Sequence, residues 1–206
     1  MTEVLYINAS PRGEASAAAQ AAQIFLDNLA PDTSVTALNL FDAELPDYTP
    51  ELAGAKQSTM MGAELTSAEA AQWAAVTALV DQFLAADHLL MAVPMWNFAV
   101  PYKFKQYIDL ITHPGMTFTI DKDGPRGIGS ASGTVIYARG GDYSPKDGQP
   151  DPFDFQSPYV QAWCGLVGIS PLEEVLVQGT MAGPDGLSTA VEGARAQLES
   201  QARSVG

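Results

Sequence analysis

Three short apolar segments, Val4–Ile7, His88–Val93 and Thr134–Ala138, each run straight into a loop of unusual composition, and that arrangement restricts the chain to few folds. Unbroken apolar runs of this length are strands covered on both faces, as in a parallel sheet. Helical patterns lie between them. The stretch from Ala17 to about Leu29 places Ile24, Phe25 and Leu29 on one side, with Ser16 at the N-cap position. Thr66-Ser67-Ala68-Glu69 has capping-box spacing ahead of Trp73, Val76, Leu79, Val80 and Phe83. Pro101 suits the first position of a helix that continues through Phe104, Tyr107, Ile108 and Ile111, until His113-Pro114-Gly115 stops it. Residues 34–40 and 175–177 read as two further strands, residues 51–61 as helical, and residues 158–167 and 187–203 as the last helices. Residues 116–132, rich in glycine and turn-formers, read as a loop.

Strands alternating with helices predict an α/β fold: a doubly wound five-stranded parallel sheet of the flavodoxin-like order 2-1-3-4-5, with helices on both faces. A length of 206 residues suits a single domain spanning 1–206. In such a sheet ligands bind beyond the carboxyl ends of the strands, where the strand order switches between the first and third. The three loops are expected to meet there.

The first loop combines Ser10, Arg12 and Gly13 with Ser16, which puts hydroxyls and free backbone N–H groups at a helix N-terminus, a cradle for phosphate. The same residues also serve as an ordinary turn and N-cap. The loop lacks a Gly-Lys-Ser/Thr ending, which disfavours a nucleoside triphosphatase. The second loop, Trp96-Asn97-Phe98, sets an amide between two aromatics, suited to edging a planar ring; core packing or a subunit contact is the alternative. In the third, Gly140-Gly141 lets backbone approach a flat ligand and permits positive φ, or forms a simple turn. Three loops on one sheet edge carry more weight than any one.

A net charge of −14 with only ten Lys and Arg repels nucleic-acid backbones and anionic membranes, so neither is an expected partner. Cys164, the only cysteine, excludes an internal disulfide framework, and with the absence of a signal-like start or a long apolar run it predicts a cytoplasmic protein. His88 and His113 read as structural, Cys164 as a buried small side chain, and no metal constellation is expected.

Over essentially its whole length the sequence resembles the FMN-dependent NADH-azoreductases, also described as NADH:quinone oxidoreductases. The resemblance is carried by Ser10-Pro11-Arg12 with Ser16, by Pro94-Met95-Trp96-Asn97-Phe98, by Gly115-Met116-Thr117-Phe118 with Gly124-Pro125 and Gly127, and by Arg139-Gly140-Gly141. It implies one non-covalent FMN per subunit, its phosphate on Ser10 and the Ser16-Ala17-Ala18 turn, its isoalloxazine held by Met95 to Phe98 and by Ala138, Arg139, Gly140 and Gly141, with Arg12 and Pro94 also among the cofactor-binding residues. It implies no obligatory acid or base, with Asn97 and the backbone at Gly140 tuning the ring. It further implies NADH or NADPH as donor, a quinone or azo acceptor, ping-pong turnover, and a homodimer with active sites at the interface, where Phe118, Phe153, Phe155, Tyr159 and Trp163 line the substrate face. Ala18 and Ala138 stand where relatives often carry a hydroxyl, each removing one hydrogen bond worth about 1 kcal/mol, and Trp96 stands where tyrosine is common. The alternatives are a flavodoxin-type electron carrier and an FMN-free binding domain on the same fold; the long 41–66 excursion, the 116–132 loop and the aromatic set favour an enzyme.

Overall fold

In the computed structural model, which describes residues 1–205, every apolar segment singled out above forms a strand. In chain order the elements are β1 (Glu3–Asn8), α1 (Ala17–Leu26), β2 (Ser34–Asn39), α2 (Pro50–Met61), α3 (Ser67–Leu84), β3 (His88–Pro94), α4 (Tyr102–Ile111), β4 (Phe118–Asp121), β5 (Gly124–Gly127), β6 (Ser132–Ala138), α5 (Ser157–Val167), β7 (Leu172–Val177) and α6 (Gly186–Arg203). Five strands pair in parallel in the order β2-β1-β3-β6-β7. Counting only sheet strands, this is the expected 2-1-3-4-5 order, with the switch between β1 and β3.

The period-two geometry of β3 divides the core. Leu89, Met91 and Val93 pack on one face, with Val76, Val80 and Phe83 of α3, Phe104 and Tyr107 of α4, and Val160 and Val167 of α5. Leu90 and Ala92 face the other side, against Ala18, Ala21, Ala22 and Phe25 of α1 and Val191, Ala194 and Leu198 of α6. Small residues on α1 let that helix lie close to the sheet. The capping box at Thr66 and Glu69 is formed reciprocally, and Ser16 caps α1 as its position suggests.

Two features depart from the sequence reading. Pro101 is the N-cap of α4 rather than its first residue, so the helix begins at Tyr102. Residues 116–132 are not a plain loop: β4 and β5 form an antiparallel hairpin, Phe118 opposite Gly127 and Asp121 opposite Gly124. The hairpin docks by close backbone approach to the end of α5. A Cβ on Gly127 would lie 2.1 Å from the Gly168 backbone nitrogen, so glycine is required there.

Candidate active site

Backbone hydrogen bonds continue past the ends of β1, β3 and β6 and bind the three loops together. Ala9 N–H donates to the Ala92 carbonyl at 2.9 Å, and Met95 N–H to the Ala138 carbonyl at 2.8 Å. The loops therefore share one edge of the sheet.

The first loop leaves β1 through Ser10, which is buried and accepts from Arg12 N–H at 3.3 Å, while its own N–H donates to Asn8 Oδ1 at 3.0 Å. Gly13, at φ +52°, begins a single tight turn over residues 13–15 before α1 starts. Ser16 Oγ accepts from Ala19 N–H at 3.4 Å. Accepting leaves the hydroxyl hydrogens of Ser10 and Ser16 free to donate, and the first N–H groups of α1 have no partner within the helix. This donor set matches a phosphate in charge and direction. Ala18 is fully covered by protein, whereas Ala17 keeps 8% exposure. Arg12 is exposed at the loop's rim.

In the second loop, Trp96 and Ala99 exchange both backbone hydrogen bonds, at 2.9 and 3.0 Å, closing a two-residue turn. Its central residues, Asn97 and Phe98, have φ of +48° and +71°. Two consecutive left-handed residues are the mark of a type I′ turn, and a phenylalanine there is strained. Such strain gathers where a backbone must present its groups in one way. Phe98 is 43% exposed and packs against Phe153 and Tyr143, with centroids 5.1 and 6.3 Å away.

The third loop corrects one expectation. Neither Gly140 nor Gly141 has positive φ; at Gly140 the space a Cβ would fill is taken by Met181, whose Sδ would lie 2.8 Å away. Arg139 does not direct its guanidinium to open space: it is 1% exposed. Nε donates to Gln156 Oε1 at 3.0 Å, Nη1 to Gln178 Oε1 at 3.2 Å and Nη2 to Asp154 Oδ2 at 2.9 Å. A buried arginine needs such partners; its backbone is engaged as well, the N–H donating to the Val177 carbonyl at 2.8 Å and the carbonyl accepting from Thr180 N–H at 3.1 Å. Burial pushes the Asp154 carboxyl up, but hydrogen bonds from Ser157 and the Arg139 cation hold it below the ordinary carboxylate range.

Beside these loops lies a pocket of about 900 Å³, lined mainly by Trp96, Asn97, Tyr102, Phe155, Pro158 and Tyr159, with Lys105 and Asp154 among its polar groups. Its size and mostly apolar walls fit a small aromatic ligand. A second cavity of about 200 Å³, lined by residues including Glu3, Thr36 and Gln82, lies at the opposite end of the sheet, away from all three loops. Of the residues expected on the substrate face, Phe155 and Tyr159 line the pocket, while Phe153 packs on Phe98 and does not line it. Phe118, on β4, does not line it. Trp163 is corrected to a core residue: it is 4% exposed, packs on Phe83 and Phe104 and donates from Nε1 to Thr112 Oγ1 at 3.0 Å.

Sequence reading missed Phe41 and Tyr102, which frame Trp96 with centroids 5.7 and 6.3 Å away, and the polar set Asp154, Gln156 and Gln178. One signal was available. Asp154 stands three residues before Ser157 and accepts the N–H groups of Gln156 and Ser157 at 3.1 and 3.0 Å, as a cap ahead of α5 does.

His88 lies between Ser132 Oγ at 2.7 Å and Thr134 Oγ1 at 3.2 Å, at the opposite end of the strands, and burial draws it down to about 4. His113 is buried against Trp73, with Nδ1 2.6 Å from the Pro114 carbonyl. Burial pushes the Cys164 thiol up to about 12, which keeps it protonated and unreactive. Among the described residues no cluster of three or more His, Cys, Asp or Glu could hold a metal ion.

The chain matches the Flavodoxin_2 family, described as having a flavodoxin-like fold, over residues 2–202. It is 38% identical over 191 residues to FMN-dependent NADH:quinone oxidoreductase 3 of Pseudomonas fluorescens, covering 90% of this chain and 88% of that one. It is 37% identical over 207 residues to the FMN-dependent NADH:quinone oxidoreductase of Nitratidesulfovibrio vulgaris, covering 98% and 97% of the two chains. In three dimensions it superposes with a TM-score of 0.86 on an FMN-dependent NADH-azoreductase from Bacillus anthracis solved in complex with FMN, at 26% identity and covering 98% of each chain.

Proposed function

The chain belongs to the Flavodoxin_2 family and, within it, to the FMN-dependent NADH:quinone oxidoreductases, and from that premise we propose that it is an FMN-dependent oxidoreductase passing two electrons from NADH or NADPH to quinones and azo compounds. One observation carries the reading: a helix-N-terminal hydroxyl cradle, a strained aromatic-amide turn and a glycine pair stand on one sheet edge beside an apolar pocket of about 900 Å³. The first supports binding of a phosphate, the second and third the rim of a flat ring, and the pocket a second aromatic molecule. A pure electron carrier has no use for a pocket of that size.

Ser10, Ser16 and the N–H groups that open α1 would hold the FMN phosphate, with the exposed Arg12 at the rim. Pro94 to Phe98 and Ala138 to Gly141 would edge the ring, chiefly through the Asn97 amide and the Gly140 and Gly141 N–H groups, since the carbonyls of Ala138 to Gly141 already accept within the protein. The flavin, once bound, supplies the redox chemistry; the protein supplies position and exclusion of water. Trp96, Phe155 and Tyr159 form the walls between which donor and acceptor are bound in turn, so a shared pocket supports ping-pong turnover. Of the charged groups in the pocket, Asp154 is engaged by Arg139 and Lys105 by Asp109, and protons reach the product from solvent.

The exposed Phe98, Tyr102, Phe153 and Phe155 beside the pocket make an apolar surface of the kind that partners cover, which supports a homodimer with the site at its interface. Residues 1–206 act as one domain. Among the described residues no helix is long and apolar enough to cross a membrane, and the lone buried Cys164 suits the reducing cytoplasm. The test is retention of cofactor: protein reconstituted with FMN and desalted is expected to keep oxidised-flavin absorbance bands, near one FMN per chain. A colourless protein refutes the assignment.

A further inference from the structure

Arg139 is a cation placed where burial is costly, in the loop that edges the proposed flavin site. Its three donor nitrogens reach three side chains in two segments, Asp154 and Gln156 in one and Gln178 in the other, and each partner passes the connection on. Gln156 donates from Nε2 to the Val93 carbonyl at 2.9 Å, at the root of the second loop. Gln178 accepts Tyr143 N–H at 3.1 Å and donates to Ser144 Oγ at 2.9 Å, holding the far end of the third loop. Asp154 accepts from the Gln156 and Ser157 N–H groups and from the Ser157 hydroxyl, fixing the turn that carries Phe155 to the pocket wall. The rigid fork of a guanidinium serves three directions at once; a lysine ammonium does not. The pair is also balanced in charge, with Asp154 11% exposed against 1% for Arg139.

We propose that Arg139 and Asp154 are a positioning and charge-balancing pair for the flavin site. The guanidinium sets the relative placement of residues 93–98, 139–144 and 151–157, and Asp154 neutralises a cation that would otherwise stand unopposed behind the ring-edging loop. This rests on the FMN reading above. Two-electron-reduced flavin carries more negative charge than oxidised flavin, so an unopposed cation favours the reduced form and an unopposed carboxylate disfavours it. Removing either partner therefore moves the flavin midpoint potential in opposite directions. A purely mechanical brace gives no reason for opposite signs.

Wild-type protein, D154N, R139Q and R139K, each loaded with FMN, are titrated for midpoint potential against a reference dye, and the same four proteins without flavin are followed by hydrogen-exchange mass spectrometry. D154N is expected to shift the potential upward and R139Q downward. R139K keeps the charge, so its potential stays near that of wild type while exchange quickens in segments 93–98 and 151–157. Loss of these hydrogen bonds also weakens FMN binding in R139Q by about tenfold. Potentials of D154N and R139Q that move the same way, or do not move, overturn charge balancing; unchanged exchange in R139K overturns positioning. Should wild-type protein fail to retain FMN, the functional reading falls while exchange in the flavin-free proteins still decides whether Arg139 positions the segments.

Discussion

Asn97 and Phe98, at φ +48° and +71°, hold the only consecutive non-glycine residues in the left-handed region among those described. Glycine at position 97 relieves that strain, so Asn97→Gly is expected to leave stability unchanged or raise it by up to about 1 kcal/mol. Asn97→Val forces a β-branched residue into the same conformation and costs roughly 1–2 kcal/mol. Both lose the amide, so both lower NADH-dependent quinone turnover; urea unfolding measured beside steady-state kinetics separates the two effects. Ser16→Ala removes the α1 cap and one phosphate donor together. It is expected to destabilise by about 1 kcal/mol and to weaken FMN binding by about tenfold, read from thermal melts and flavin-fluorescence titration. At this scale the sequence showed residues whose role is local: a serine before a helix announces a cap. It did not show the role of Arg139, because an arginine beside two glycines looks like a ligand contact until Asp154, Gln156 and Gln178 are folded around it.

Strands and helices were legible wherever their pattern repeats. β3 reads as buried because it is apolar throughout, and α3 announces both its start at Thr66 and its inward face. The β4–β5 hairpin was not, since Gly124-Pro125-Arg126-Gly127 has neither alternation nor β-branched residues and is held by docking on α5. Gly127→Ala tests that docking. The methyl group meets Gly168 backbone, which cannot rotate away, and a cost of about 2–3 kcal/mol is expected, seen as a lower melting temperature and faster exchange across residues 118–127. His88 joins β3 to β6 through Ser132 and Thr134, and burial lowers it from 6.5 to about 4. Between those values the unfolded chain binds more protons than the folded one. The stability is complete above pH 6.5 and is lost as pH falls toward 4, amounting to roughly 3 kcal/mol at about 1.4 kcal/mol per unit. Chemical unfolding at pH 7 and pH 4.5 is expected to show a smaller loss in His88→Gln than in wild type; equal losses contradict it.

At the scale of the molecule, composition set partners aside more than it chose them. A net charge of −14 repels an anionic dinucleotide at long range, leaving local hydroxyls and N–H groups to bind phosphate. The second-order rate of reduction by NADH is accordingly expected to rise with ionic strength, while the rate of reoxidation by a neutral quinone stays nearly constant; a rate with NADH that falls with salt contradicts this. Alternation of elements implies a parallel sheet whose strand ends share one edge, which is where the three loops lie. Part of the pocket was legible in Trp96, Phe155 and Tyr159; Tyr102 and Lys105 were not, because they lie on α4 and meet the other two stretches only when the sheet and helices pack. What ties the scales together is electron transfer through one shared site. Anaerobic stopped-flow mixing of the FMN-loaded protein with NADH tests that directly: oxidised-flavin absorbance is predicted to bleach within seconds and return on mixing with a quinone, whereas flavin that stays yellow under excess NADH contradicts the account.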